Sequence, residues 1–299
     1  MFLLTFFYNN NEQIGFLDKT KTQIITAENV FSNIGNKTPK NMIEAIEYID
    51  NSCESEIINY IDNYEGNDFI NLKDVKILAP IPYPKRNVFC LGKNYLEHVN
   101  EVKNISTPNE LPPSKPIYFT KVASPAIGHE DFIDSHSNVV TSLDYEVELA
   151  IIIGKEGKNI KRQNAENHIF GYTIANDISA RDIQFAHTQW FKGKSFDTFC
   201  PMGPYIMHKS CVNGMPSLDI KSFVNGELRQ SSITSELIFD IPYILEDISS
   251  GITLYPGDII LTGTPSGVGA GFNPPKFLKS GDIVECYIEK IGTLRNFVK

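Results

Sequence analysis

Leu143-Asp-Tyr-Glu-Val-Glu-Leu-Ala-Ile-Ile-Ile-Gly154 is the stretch on which the reading of this chain turns. It has no turn former before Gly154 and is rich in β-branched side chains, so it reads as a strand. A period of two puts Asp144, Glu146, Glu148, Ala150 and Ile152 on one face and Tyr145, Val147, Leu149, Ile151 and Ile153 on the other. A Glu-x-Glu pair is ordinary on a solvated strand face. Here both faces carry apolar residues further along, which implies that both are covered. Two carboxylates in a partly enclosed site repel each other and lose hydration, an arrangement that a hard cation relieves.

Working outward, Gly171-Tyr-Thr-Ile-Ala-Asn-Asp-Ile-Ser-Ala-Arg-Asp-Ile-Gln184 offers a third oxygen ligand, Asp177, where a strand runs into a helix expected from Ile178 to about Gln189. In isolation Asp177 reads first as a helix N-cap. With the helix starting near Ile178, Asp177, Arg181 and Gln184 fall along one side at steps of four and three. An oxygen-only set of Glu146, Glu148 and Asp177 suits Mg²⁺ or Mn²⁺ rather than zinc, since no His or Cys recurs at ligand spacing. Upstream, Leu91-Gly-Lys-Asn-Tyr-Leu-Glu-His-Val-Asn-Glu101 sets His98 and Glu101 one helical turn apart. A glutamate accepting from one imidazole nitrogen leaves the other free to take a proton from water. Residues 102–116, with several prolines, suit a mobile lid. Downstream, Phe191-Lys-Gly-Lys-Ser-Phe196 supplies Lys194. Asp258-Ile-Ile-Leu-Thr-Gly-Thr-Pro-Ser-Gly-Val-Gly269 supplies a glycine-rich turn that lacks a Walker signature; it suits either a tight turn or an approach of Thr264 and backbone N–H groups to a ligand carboxylate. His129, His136, His168, His187 and His208 read as structural or solvated.

The 299 residues allow one large domain or a medium domain with an appendage. Net charge is −9, without long like-charge runs, which argues against nucleic acid or an anionic membrane as partner. Five dispersed cysteines suggest reduced thiols in a cytoplasm rather than a disulfide framework. The prolines of residues 79–84 mark a boundary between a small N-terminal domain, 1–78, and a main domain, 79–299. The first part reads as two or three short strands and two helices, one with Thr38-Pro39 at its start and Ile43, Ile46 and Ile49 on one face, the next carrying Ile57, Ile58, Ile61 and Tyr64. The main domain is β-rich, with a type I′ hairpin at Asn225-Gly226 and a helix over Ile241 to Ser249. Its strands do not alternate with long helices, so a mixed, mostly antiparallel α+β roll or sandwich is expected.

Six segments in order resemble the fumarylacetoacetate hydrolase family: Gly-Lys-Asn-Tyr-x-x-His-x-x-Glu (92–101), Leu-Asp-Tyr-Glu-x-Glu-Leu (143–149), Asn-Asp-x-x-Ala-Arg-Asp (176–182), Gly-Lys-Ser-Phe (193–196), Val-Asn-Gly-Glu-Leu-Arg-Gln (224–230) and Gly-Thr-Pro-Ser-Gly-Val-Gly (263–269). The resemblance implies the family's mixed β-roll, a homodimer, and Mg²⁺ or Mn²⁺ held by Glu146, Glu148 and Asp177. It further implies Lys194 beside the metal, Arg181, Gln184 and Thr264 at the substrate, and His98 with Glu101 on a closing lid. Val147 stands where relatives often have Gly, and Lys93 where many have Arg; the loss of a bidentate fork at Lys93 bears on substrate preference. The expected activity is cleavage of a carbon–carbon bond next to an α-keto acid, either acylpyruvate hydrolysis or oxaloacetate decarboxylation, through a metal-stabilised enolate. The alternative is isomerisation or tautomerisation of an unsaturated 2-hydroxy-dicarboxylate, because the same enolate can be reprotonated elsewhere. A noncatalytic metabolite binder is the third reading, disfavoured by the joint presence of acidic ligands, Lys194 and the His98/Glu101 pair.

Overall fold

A computed structural model describes residues 1–49, 53–102 and 112–299. The fold is α+β and strand-rich, with an eleven-stranded sheet, a five-stranded sheet and a two-strand ladder. Val147–Ile153 lies inside the larger sheet, antiparallel to Ile169–Asn176 on one side and to Ile259–Leu261 on the other. All of its residues are buried, as the two-sided apolar pattern requires. Val88–Gly92 runs parallel to Ile259–Leu261 and pairs antiparallel with Ile117–Lys121, so the sheet is mixed.

The alternation of the central strand explains the layering. Leu149, Ile151 and Ile153 join a core with Ile220, Val284, Cys286 and Leu294 of the smaller sheet. Ala150 and Ile152 face the other way, into a core with Val30, Phe31, Ile43, Ile46 and Ile57 from the N-terminal helices. Neither face of this strand is left to water. The sheet also joins strands from both sides of the proline-rich segment: Met202–His208 pairs with Ile169–Asn176 and also with Phe2–Tyr8, which pairs in turn with Asn11–Leu17.

Several local expectations are met. Asn225 and Gly226 both have positive φ, 51° and 79°, as the hairpin between Asp219–Val224 and Glu227–Ile233 demands. Ile241–Ser249 is a helix capped by Asp240, with Ile241, Ile244, Leu245 and Ile248 buried. Others differ. The helix expected to begin at Thr38-Pro39 begins at Met42, because Asn41 accepts from the Glu44 N–H while the Glu44 carboxylate reaches back to the Lys40 N–H, a reciprocal cap. The helix Ala27–Asn33, capped by Thr26, was not foreseen at all; it is only seven residues long, too short for a clear period. The second expected helix is Glu54–Asp62, which ends before Tyr64.

His208, one of the histidines read as structural, ends the Met202–His208 strand fully buried, edge-on to the Phe170 ring at 5.0 Å. Burial, with the N-terminal ammonium and Lys209 adding to it, pulls its imidazolium pKa down to about 3. An unfolded histidine titrates near 6.5. Above that pH neither state is protonated; as pH falls from 6.5 towards 3, the unfolded chain alone takes up the proton and stability is lost, by at most ~1.4 kcal/mol per pH unit. His208→Leu is expected to flatten this part of the stability–pH curve measured by urea unfolding. An unchanged slope would place the acid sensitivity elsewhere.

Candidate active site

Strand register assembles the acidic cluster. Val147 pairs with Asn176 and Glu148 with Ala175, so one step further Asp177 lies opposite Glu146, and its N–H donates to the Glu146 carbonyl at 2.8 Å. Carboxylate oxygens of Glu146, Glu148 and Asp177 lie within 4.8 Å of one another, all buried. The Asn176 side chain accepts from the Glu146 N–H (2.9 Å) and fixes the entry to the strand.

The helix after Asp177 starts later than its sequence pattern indicates. Ser179–Ala180 pairs with Leu143–Asp144 and stays extended, so the helix is Arg181–Ala186 and its preceding residue is Ala180. Asp177 is therefore not a cap: its carboxylate accepts from Lys194 (2.7 Å) and from Lys121. Arg181 and Gln184 share the one short helix, Arg181 donating to the Gln184 side-chain oxygen at 3.0 Å.

Charges inside this cluster are almost balanced. Among the described residues, four buried carboxylates, Asp144, Glu146, Glu148 and Asp177, meet three buried cations, Lys121, Arg181 and Lys194. Arg181 pairs with Asp144 at 2.8 Å and Glu146 at 2.7 Å, and Lys194 with Glu146 at 2.8 Å. Burial pushes Glu146 upward, but Lys194 and Arg181 outweigh it and hold its carboxyl well below the usual range. Lys194 is pulled down by burial and raised more strongly by Asp177 and Glu146, so it stays an ammonium. Glu148 is the surplus acid. It accepts from the backbone N–H of Gly263 at 2.7 Å, and burial, then Asp177 and Glu146, push its carboxyl well above the ordinary value.

His98 and Glu101 sit on the helix Leu96–Val102, with His98 Nδ1 3.2 Å from the Glu101 carboxylate. Glu101 also accepts from the Gly267 N–H at 2.9 Å. A side chain at Gly271 would collide with it at 2.1 Å, so the glycine-rich turn is shaped around this carboxylate. The expected lid, 102–116, lies largely outside the described residues.

The half-open pocket beside the cluster is lined by His98, Glu146, Glu148, Arg181, Gln184, Lys194 and Thr264. Every sequence-derived candidate other than Asp177 and Glu101 faces it, and those two bond directly to residues that do. Thr264 also has a scaffold part: its hydroxyl donates to the Val147 carbonyl (2.9 Å) and accepts from Gln230 (2.7 Å). Gln230 accepts in turn from the Val147 N–H (3.1 Å), tying the smaller sheet to the acidic strand.

Sequence reasoning missed Lys121, Gln230 and the pairing of Asp144 with Arg181. Lys121 ends a five-residue strand that is otherwise half-buried, a pattern equally suited to an exposed lysine. Gln230 stood inside a family segment, but nothing in its spacing indicated a bond to Val147.

Residues 87–299 match the family described as fumarylacetoacetate (FAA) hydrolase C-terminal. The chain belongs to the fumarylacetoacetate hydrolase family. This family member is 51% identical over 231 residues to oxaloacetate tautomerase YisK of Bacillus subtilis, covering 77% of this chain and 75% of that protein. Among solved structures it is similar to the fumarylacetoacetate hydrolase of psychrophilic Exiguobacterium antarcticum, at 37% identity and a TM-score of 0.83, over 100% of this chain and 99% of that one. It is also similar to maleylpyruvate hydrolase from Sphingobium sp. SYK-6 in complex with manganese(II) ion and pyruvate, at 28% identity and a TM-score of 0.77, covering 100% of this chain and 98% of that one. The chain is an enzyme of this family, and the noncatalytic reading is set aside.

The residues present fit a divalent cation. The converging donors are hard oxygens, and Glu148 brings one negative charge more than the three buried cations neutralise. Among the described residues no helix is long and apolar enough to cross a membrane, and all five cysteines are unpaired.

Lys121 tests the charge balance. Lys121→Met leaves the fully buried Asp177 carboxylate with only Lys194, which it shares with Glu146, and is expected to cost about 3 kcal/mol in metal-free protein, with most of the loss restored by adding Asp177→Asn. Urea unfolding of the two single variants, the double variant and the parent measures this as a double-mutant cycle; additive losses would dissolve the pairing.

Proposed function

We propose that the protein is a Mg²⁺- or Mn²⁺-dependent tautomerase that interconverts the enol and keto forms of oxaloacetate, or of a close 2-keto dicarboxylate. The observation that carries this reading is the buried triad Glu146, Glu148 and Asp177, flanked by Lys194 and opening onto a pocket that also holds His98. Glu146, Glu148 and Asp177 are the residues that would hold the ion. Bound there, a divalent cation supplies Lewis-acid charge that lowers the cost of an enolate. Of the outcomes open to an enolate, moving a proton without breaking a carbon–carbon bond is favoured by the 51% identity to a protein named for oxaloacetate tautomerisation.

The chain's own groups divide the remaining work. Lys194 uses two of its three N–H bonds on Glu146 and Asp177, leaving the third to donate to the developing enolate oxygen. Arg181 is held by Asp144, Glu146 and Gln184, so its side chain forms a fixed wall. Its bond to the Gln184 oxygen turns the Gln184 amide nitrogen into a donor for a substrate carboxylate. With Glu101 engaged at Nδ1, His98 offers Nε2 for proton transfer at the carbon between the keto and distal carboxyl groups. Burial of the cluster excludes water and strengthens each of these contacts.

Carbon–carbon cleavage, by acylpyruvate hydrolysis or oxaloacetate decarboxylation, is the second reading. The His98–Glu101 dyad favours it, since the same Nε2 can activate water, as does the likeness to maleylpyruvate hydrolase.

The two readings separate in one assay that follows decay of the enol absorbance together with pyruvate release. With Mg²⁺ or Mn²⁺ the enol is expected to decay faster than in buffer without matching pyruvate, and a chelator is expected to abolish the effect. Glu148→Gln is expected to weaken metal binding and turnover together. His98→Ala is expected to lower turnover by about 10²- to 10⁴-fold with metal affinity unchanged. Stoichiometric pyruvate, or acylpyruvate hydrolysis without any enol decay, would replace tautomerisation by cleavage.

A further inference from the structure

We propose that Trp190 limits the length of the substrate, closing the pocket behind a four-carbon chain and turning away longer 2-keto dicarboxylates; this deepens the tautomerase reading and rests on it. The pocket has two unlike walls. One is the charged cluster with His98; the other is apolar, made by Leu91, Phe119, Phe185 and Trp190. The free space between them is about 50 Å³, where ligand sites commonly offer about 300 Å³ or more. Each carbon added beyond a short chain therefore has to displace a wall.

Contacts on three sides hold the indole as a fixed stop. A Cβ at Gly92 would lie 2.2 Å from the Trp190 ring. The Gly92 φ is outside the left-handed region, so room for the indole, not backbone freedom, is what calls for glycine here. The turn that follows Gly92 is itself fixed, because the fully buried Asn94 donates to the carbonyls of Thr262 (2.8 Å) and Phe239 (3.1 Å) and accepts from the Phe239 N–H (2.8 Å). On a second side, Phe119 meets the indole edge-on at 5.3 Å. On the third, the Lys194 N–H donates to the Trp190 carbonyl at 3.2 Å, and Gly193 lets this turn pack on the Gln184 backbone, which a Cβ would approach to 2.7 Å. The stop and the Lys194 ammonium thus belong to one helical turn, and the fold sets their separation. Phe119 spans it, with its ring centroid also 5.3 Å from the ammonium. A longer chain would press its distal carboxylate along these rings, whose faces carry negative charge density and cannot donate a hydrogen bond.

The test reads binding independently of turnover, with the unreactive hydroxy acids malate, 2-hydroxyglutarate and 2-hydroxyadipate titrated calorimetrically into the Mg²⁺-loaded full chain. The parent is expected to bind malate about ten- to two-hundredfold more tightly than 2-hydroxyglutarate, the range of one methylene in a confined pocket, and 2-hydroxyadipate more weakly still. Trp190→Ala is expected to lower the malate preference about tenfold by strengthening the longer acids, and Trp190→Phe to keep part of it. Trp190→Leu keeps an apolar cover over Phe119 and so guards the turn that carries Lys194; it is expected to show the same broadening at unchanged Mg²⁺ affinity. A length preference as steep as the parent's in both Trp190→Ala and Trp190→Leu, or a parent that binds the three acids alike while speeding enol decay, would overturn the role of Trp190 and leave the tautomerase reading standing. Loss of Mg²⁺ binding in both variants would make the indole part of the scaffold and overturn the role as well. A parent that neither binds malate nor speeds enol decay would overturn that reading, and the role of Trp190 with it.

Discussion

A buried carboxylate without its own cation is the constraint around which this molecule is organised. Burying Asp144, Glu146, Glu148 and Asp177 together is tolerable only because Lys121, Arg181 and Lys194 are buried with them. Those three cations leave one carboxylate uncompensated, and the surplus falls on Glu148, whose proton affinity is raised by burial, then by Asp177 and Glu146. Had a fourth cation been present, the cluster would be an inert ionic knot. As built, it is a receptor for positive charge, and two of the cations that hold the carboxylates in place, Lys194 and Arg181, also line the pocket.

The legibility of the site in the sequence followed its periodicity. Glu146 and Glu148 could be paired from the strand period, because a two-residue repeat fixes side-chain direction whatever the partner strand is. His98 and Glu101 could be paired from one helical turn in the same way. Asp177 was placed correctly beside them for a reason that the pattern alone did not contain: its position comes from the Val147–Asn176 register, a contact between segments about 30 residues apart. The helix start was misread for the complementary reason. Ser179 and Ala180 have no strand preference of their own and stay extended only because Leu143–Asp144 pairs with them. Lys121 and Gln230 were silent because their roles depend wholly on what the fold brings near them.

The N-terminal part shows how a surface with no chemistry can still matter to the site. The small side chain of Ala150, together with Ile152, lies on the same strand face that carries Glu146 and Glu148, and these apolar positions are roofed by Phe31, Ile43, Ile46 and Ile57. One strand thus changes character along its length, acidic at the pocket and apolar beneath the helices. What the proline-rich segment separates in sequence, the sheet joins through Phe2–Tyr8 and Met202–His208.

The Asn94 anchor has a consequence for how relatives of this protein can diverge. The acidic strand and its neighbours are locked into a sheet, with Gln230 reaching in from the other, so few exchanges there are harmless. The short run from Gly92 to Glu101 is instead tied to that frame by a few contacts, chiefly the Asn94 amide near its start and the Glu101 carboxylate on the Gly267 N–H at its end. Novelty in what is accepted and where a proton is delivered can accumulate in those few positions while the machinery beneath is inherited unchanged, much as a tool shank accepts different bits.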